Sequence, residues 1–148
     1  MGLLGTWRGR GTGEYPTIED FEYVEEVTFG HVGKPFLTYR QHTRDAVDGR
    51  PLHAEVGYWR PVGPDRVEVV LAHPTGIGEI LEGSVQTGTT TVFDLHTTSM
   101  SLTSTAKDVT DLHRRLELAG DTLRYTLAMA AVGHPLTHHL TAELHRVS

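Results

Sequence analysis

The chain has 148 residues, 38% hydrophobic and 22% charged, which suits one domain, 1–148, with room for a core. A formal net charge of −6 argues against nucleic acid as a partner, because phosphate binding needs clustered Lys and Arg. There is no cysteine, so disulfides, Fe–S clusters, thiolate nucleophiles and Cys-based zinc sites are excluded.

The first residues hold no basic leader followed by a long apolar region, and no apolar run approaches the ~20 residues that span a bilayer. A cytoplasmic protein without membrane contact is expected. From Gly5 to Gly13 glycine recurs at every second position, except that Trp7 takes one of those places. That period puts them on one face of a first strand, where another element or a ligand can approach the backbone. Pro16 after Tyr15, then Thr17 as a cap, predicts a short helical turn up to Phe21. Glu22 to Val32 reads as the second strand, with Tyr23, Val27 and Phe29 on alternate positions. Phe36 to Thr43 is the third. Asp48-Gly49 signals a hairpin into the fourth, Leu52 to Arg60.

Arg66 to His73 follows, with Val67, Val69 and Val70, and Pro74-Thr75-Gly76 turns the chain. Ile77 to Gln86 and Thr89 to Met100 come next, the latter too rich in β-branched Thr for a helix. Val109 to Ala119 runs into the tight turn Gly120-Asp121, and Thr122 to Val132 alternates Leu123, Tyr125 and Leu127 with polar neighbours. The last segment is His138 to Val147. Ten strands with regular turns and no long helix predict an all-β, ten-stranded antiparallel up-and-down β-barrel. In the last segment Leu136, Leu140 and Leu144 also have helical spacing. A strand is preferred, since a barrel needs a last strand to pair with the first. Strict alternation then places His139 on the face opposite Leu140, Ala142 and Leu144, unless a bulge near His138 re-aims a side chain.

Ten histidines are present, four of them between His134 and His145. His53 begins one predicted strand and His73 ends the next, so both fall at one mouth of the barrel. Met129 and His139 flank the last turn, and Ala130, Ala131 and Gly133 leave volume there for a bulky planar ligand. A metal held by protein groups alone is not expected. No HExxH motif occurs, and His134 and His138 pair only on a helix, which Gly133 and Pro135 oppose. Glu25, Glu26 and Glu55 read as a charged strand face rather than an acid/base pair. No GxSxG nucleophile motif occurs.

The ordered set of motifs resembles the nitrobindin family of haem-binding β-barrels over nearly the whole chain. The family's GxWxGxG opening appears as Gly5, Trp7, Gly9 and Gly11. It is followed by Tyr15 to Ile18, Gly33 to Leu37, Leu52 to Glu55, Val67 to Ala72, Ala106-Lys107, Met129 to Gly133, Pro135-Leu136 and His139-Leu140. The resemblance implies one haem b per chain near a mouth of the barrel. His139 would be the proximal iron ligand and catalytic residue, with His138 as the one-residue alternative. The distal pocket would fall on Leu52, His53, His73 and Met129, and the haem periphery on Thr17 and Lys107. The implied activity is isomerisation of peroxynitrite to nitrate at ferric haem, with reversible binding of nitric oxide to the ferrous form. The expected partners are these small molecules, and a homodimer is an allowed assembly. The alternative is a haem-free carrier of a small apolar ligand in a lipocalin-like or fatty-acid-binding-like barrel. It would be favoured if neither His138 nor His139 points inward.

Overall fold

A computed structural model describes residues 2–148, in which ten strands follow one another in chain order. They are β1 (Gly5–Tyr15), β2 (Ile18–Gly30), β3 (Leu37–Asp45), β4 (Pro51–Val62), β5 (Arg66–His73), β6 (Ile77–Gln86), β7 (Thr91–Leu102), β8 (Val109–Ala119), β9 (Thr122–Ala131) and β10 (Thr137–Arg146). Each pairs antiparallel with its neighbours in sequence, and β1 pairs with β10 from Trp7↔Arg146 to Gly13↔Leu140, which closes the barrel. Closure gives every strand two partners and leaves no edge.

The predicted helical turn after the first strand does not form; the described residues contain no helix. Pro16 and Thr17 are instead the turn between β1 and β2, with Tyr15 paired to Ile18 and a register shift between Gly13 and Tyr15. An isolated helical turn leaves most of its backbone donors and acceptors open, whereas extension of β2 back to Ile18 pairs them across the ladder. Thr17 caps nothing.

Strand parity sorts the interior into tiers. At the end where the chain termini meet, Trp7, Phe29, Trp59, Phe93, Leu81, Leu95, Leu123 and Leu144 pack into a continuous core. Above it lies a buried polar tier containing Glu25, Gln41, Glu55 and Glu79. Beyond that tier the barrel opens at the end formed by the β1–β2, β3–β4, β5–β6, β7–β8 and β9–β10 turns. Burial of the floor by apolar side chains stabilises the fold by ~1.5–3 kcal/mol for each large residue, so the closed end carries most of the stability.

The inward glycines of β1 make room at the open end. Gly11 pairs with Tyr23 and Gly13 with Phe21. A Cβ on either glycine would run into the ring of its partner. The two aromatic rings therefore lie over bare backbone beside β10.

Candidate functional site

The open end leads into a cavity of about 1360 Å³. This exceeds the ~300–1,000 Å³ of ordinary small-molecule sites. Its walls include Phe21, Leu52, His53, His73, Ile77, Lys107, Met129, His139 and Leu140. Leu52, His53, His73, Lys107, Met129 and His139, all expected near a ligand, are thus brought to one cavity. Thr17 is not among its walls. It sits exposed in the turn at the rim.

His139 reaches this cavity because β10 is irregular. The pairing of β10 with β9 shifts register between His138 and Leu140. His139 is the extra residue of that bulge, so His139 and Leu140 both line the cavity although they are adjacent. Its Nδ1 donates to the carbonyl oxygen of Glu14 at 2.9 Å. That bond fixes the tautomer and leaves Nε2 as the ring's lone-pair nitrogen. Among the described residues Nε2 has no hydrogen-bond partner. Tyr15 and Phe21 meet the ring edge-on at 5.4 and 6.4 Å. Burial holds the imidazole below its ordinary pKa, against the bond to Glu14, and the nearby His138 and His53 add to the lowering. The ring is thus kept neutral, the form that ligates a metal.

His138 points the other way. Its side chain is 43% exposed, and Nε2 lies 2.9 Å from the Thr141 hydroxyl and 3.8 Å from a Glu14 carboxylate oxygen. His145 is 59% exposed. His134 packs edge-on against Tyr15 at 5.8 Å. Among the described residues none of the three shares a ligand cluster.

The floor of the cavity overturns the reading of Glu25 and Glu55 as a charged outer face. Both are buried, at 5% and 4% exposure, and Glu79 is buried with them. Arg114 on β8 spans the two nearest, at 2.7 Å from Glu55 and 3.3 Å from Glu79. Tyr39 donates to Glu55 at 2.8 Å, and Thr97 to Glu79 at 2.9 Å. Burial raises the pKa of both carboxyls. Arg114 and the bond from His53 outweigh it at Glu55, which is held well below the usual carboxylate range, while the bond from His73, with Arg114 and Thr97, outweighs it at Glu79, whose pKa is lowered. Glu25 takes hydrogen bonds from Tyr125 at 2.6 Å and Gln41 at 2.7 Å. Burial nevertheless pushes its carboxyl up to about 7. Trp59 Nε1, Gln41 Oε1 and Arg114 Nε, all on cavity-lining residues, have no partner among the described residues. Sequence reasoning missed Glu79 and Arg114. The available signal was parity, since each lies an even number of positions from an apolar inward residue of its own strand.

Known proteins resemble this chain over nearly its whole length. The family described as THAP4-like, heme-binding beta-barrel domain matches residues 1–146. A protein of Nocardia farcinica named peroxynitrite isomerase is 59% identical over 145 residues, covering 97% of this chain and 86% of its own. One of Mycobacterium avium, named peroxynitrite isomerase 2, is also 59% identical, covering 97% of this chain and 90% of its own. The crystal structure of Rv2717c from M. tuberculosis superposes with a TM-score of 0.95 at 55% identity, covering 99% of this chain and 94% of that one. The chain belongs to the family of THAP4-like, heme-binding β-barrel domains.

Proposed function

We propose that the cavity holds one haem b per chain, its iron bound by Nε2 of His139, and that the loaded protein isomerises peroxynitrite to nitrate and binds nitric oxide. The observation that carries the reading is His139 itself, neutral, anchored through Nδ1, and aimed into a large cavity. The family match and the names of the relatives support haem over the haem-free carrier.

The residues present fit the group. Leu52, Met129 and Leu140 offer apolar wall to a porphyrin face, and Lys107 at the rim offers a cation to a propionate. The carbonyl of Glu14 holds the imidazole in orientation, as outer partners of metal-bound histidines do. When bound, haem supplies a Lewis-acidic iron with an open coordination position. The chain supplies one neutral ligand, an enclosure that excludes bulk water from one face, and ionised carboxylates set back beneath the cavity.

Ferric, ferrous and nitric-oxide absorption spectra of wild type, His139→Ala and His138→Ala test this reading. Wild type should show a Soret band after hemin is added. His139→Ala should lose hemin by more than the ~10–100-fold that loss of an outer partner costs a metal site. His138→Ala should match wild type. The reverse pattern would move the ligand to His138, and a colourless wild type would sink the haem reading.

A further inference from the structure

The floor of the cavity holds a second set of metal-ligand atoms, independent of His139. His53 and Glu55 sit two apart on β4, so they share a face, and His73 comes from the facing end of β5. His53 Nε2 is 3.2 Å from His73 Nδ1 and 3.3 Å from Glu55 Oε1, and His73 Nδ1 is 3.7 Å from Glu55 Oε1. A metal with bonds of ~2.0–2.2 Å in tetrahedral geometry has ligand-to-ligand edges of about 3.3–3.6 Å. The triangle already has that size, and a metal entering it displaces the proton that His53 Nε2 donates to Glu55, the ring passing to the Nδ1–H tautomer.

Its surroundings suit a cation. Nε2 of His73 lies 2.9 Å from a carboxylate oxygen of Glu79. Donation there leaves Nδ1 as the lone-pair nitrogen facing the triangle, the outer arrangement found behind metal-bound histidines. Tyr39 and Arg114 Nη1 donate to Oε2 of Glu55, and Arg114 Nη2 reaches Oε1 only at 3.4 Å, so the second lone pair of Oε1 is the single ligand atom turned to the triangle. Glu55 and Glu79 against one Arg114 leave a net negative charge to be met. All three ligand residues line the cavity, so a fourth position faces open space.

We infer that His53, Glu55 and His73 form a binding site for a divalent transition-metal ion such as zinc, with an open coordination position facing the cavity. The site takes two nitrogens and one oxygen, a set shared by zinc and ferrous iron. It does not rest on His139 as an iron ligand. A second group, Asp94, His96 and His113, lies on the outside of the barrel with the His96 side chain 60% exposed, and has to be silenced in any test.

The test is zinc calorimetry on the full chain in a His96→Ala background, both haem-loaded and haem-free, with cobalt absorption on the haem-free form. One equivalent of zinc is expected in each form, and cobalt should give the intense visible bands of a low-symmetry site that zinc bleaches. His53→Ala and His73→Ala should each weaken zinc at least tenfold, while His139→Ala, compared in the haem-free form, should leave it unchanged. His53, with a side chain 35% exposed, is the safer of the two for folding, which circular dichroism checks. No saturable binding, binding confined to the haem-free form, or equal affinity in His53→Ala would each overturn the inference. So would a loss on His139→Ala, which would place the ion at the proximal histidine.

Discussion

Glu25 is held by hydrogen bonds from Tyr125 and Gln41 and has no salt bridge among the described residues, in contrast to Glu55 and Glu79 beside Arg114. Burial raises its pKa from 4.5 to about 7, the charge of Glu55 adding and the two hydrogen bonds and Arg114 opposing. In the unfolded chain the carboxyl has lost its proton above about 4.5, while the folded chain still holds it up to about 7. Stability therefore falls as pH rises through that window and is level above it, by roughly 3 kcal/mol at ~1.4 kcal/mol per pH unit. Protonated, Glu25 can donate to Tyr125, whose hydroxyl stands 2.7 Å from that of Tyr23 and can donate onward. Glu25→Gln places an amide donor in that role, so urea unfolding should show the variant more stable than wild type at pH 8 and nearly equal to it at pH 5. Parallel pH profiles would remove Glu25 as the titrating group. Glu55 and Glu79 have the opposite sign. Their lowered pKa values give stability that is present above the ordinary carboxylate range and lost as pH falls below it. These burials were legible. Glu25 shares parity with Tyr23, Val27 and Phe29, and Glu55 with His53 and Trp59. Charge points these side chains outward and period points them inward, and at Glu55 period prevails because Arg114, 59 residues away in sequence, compensates the buried charge.

At the scale of elements, β10 shows what a sequence pattern can and cannot settle. Its apolar positions Ala142 and Leu144 set the inward face, and that much follows from alternation. Alternation alone would send His139 outward. The bulge that turns it inward was foreseeable as a device, but its place depends on the register of β9, which no local pattern encodes. The β1–β2 turn failed as a helix for a similar reason, since pairing across the ladder outweighs the local Pro-Thr preference. The seam between β1 and β10 is sensitive to side-chain volume, as are the contacts of Gly57 with β5 and Gly83 with β7. A Cβ at Gly9 would drive into the carbonyl oxygen of Glu143 and stand 2.7 Å from the Cα of Leu144, both backbone atoms that cannot rotate away. Gly9→Ala should therefore destabilise the barrel by about 1–3 kcal/mol or more, as overpacking does. Gly78→Ala, where an added Cβ meets nothing within 4 Å, should stay within ~0.5 kcal/mol of wild type. Urea midpoints of the two variants, compared at constant slope, check this. Equal midpoints would show that the seam can widen.

Across the whole molecule, an up-and-down barrel of ten strands divides its turns between two ends, and function takes only one of them. The termini lie at the closed end and clasp each other. Val147 N donates to Thr6 O at 2.8 Å, Arg146 donates to the carbonyls of Gly2 and Leu4, and its guanidinium lies 4.3 Å from the centre of the Trp7 ring. Chain ends held together in this way can be joined without moving the strands they end. The turn Gly63–Asp65 between β4 and β5 is at the same closed end; its residues are exposed, and a Cβ at Gly63 would meet nothing within 4 Å. The turn before β10 is at the open end, with Val132 at φ 46° and Gly133 at φ 81°, and it sets the entry into the bulge that aims His139. A permuted chain with residues 2 and 148 joined by a short Gly/Ser linker and reopened at Gly63 should keep every strand pair and the tiers that depend on them. It should show the wild-type Soret band with hemin. The same chain reopened at Gly133 frees the start of β10, so it should keep the β-sheet circular dichroism while binding hemin far more weakly. The pair of permutants separates the two halves of the molecule. If both bound hemin alike, His139 would be held by the barrel wall and not by the turn. If the Gly63 permutant failed to fold, the clasp of the termini would be a constraint on folding order, which the high sequence separation of the β1–β10 pairing makes the slowest contact to form.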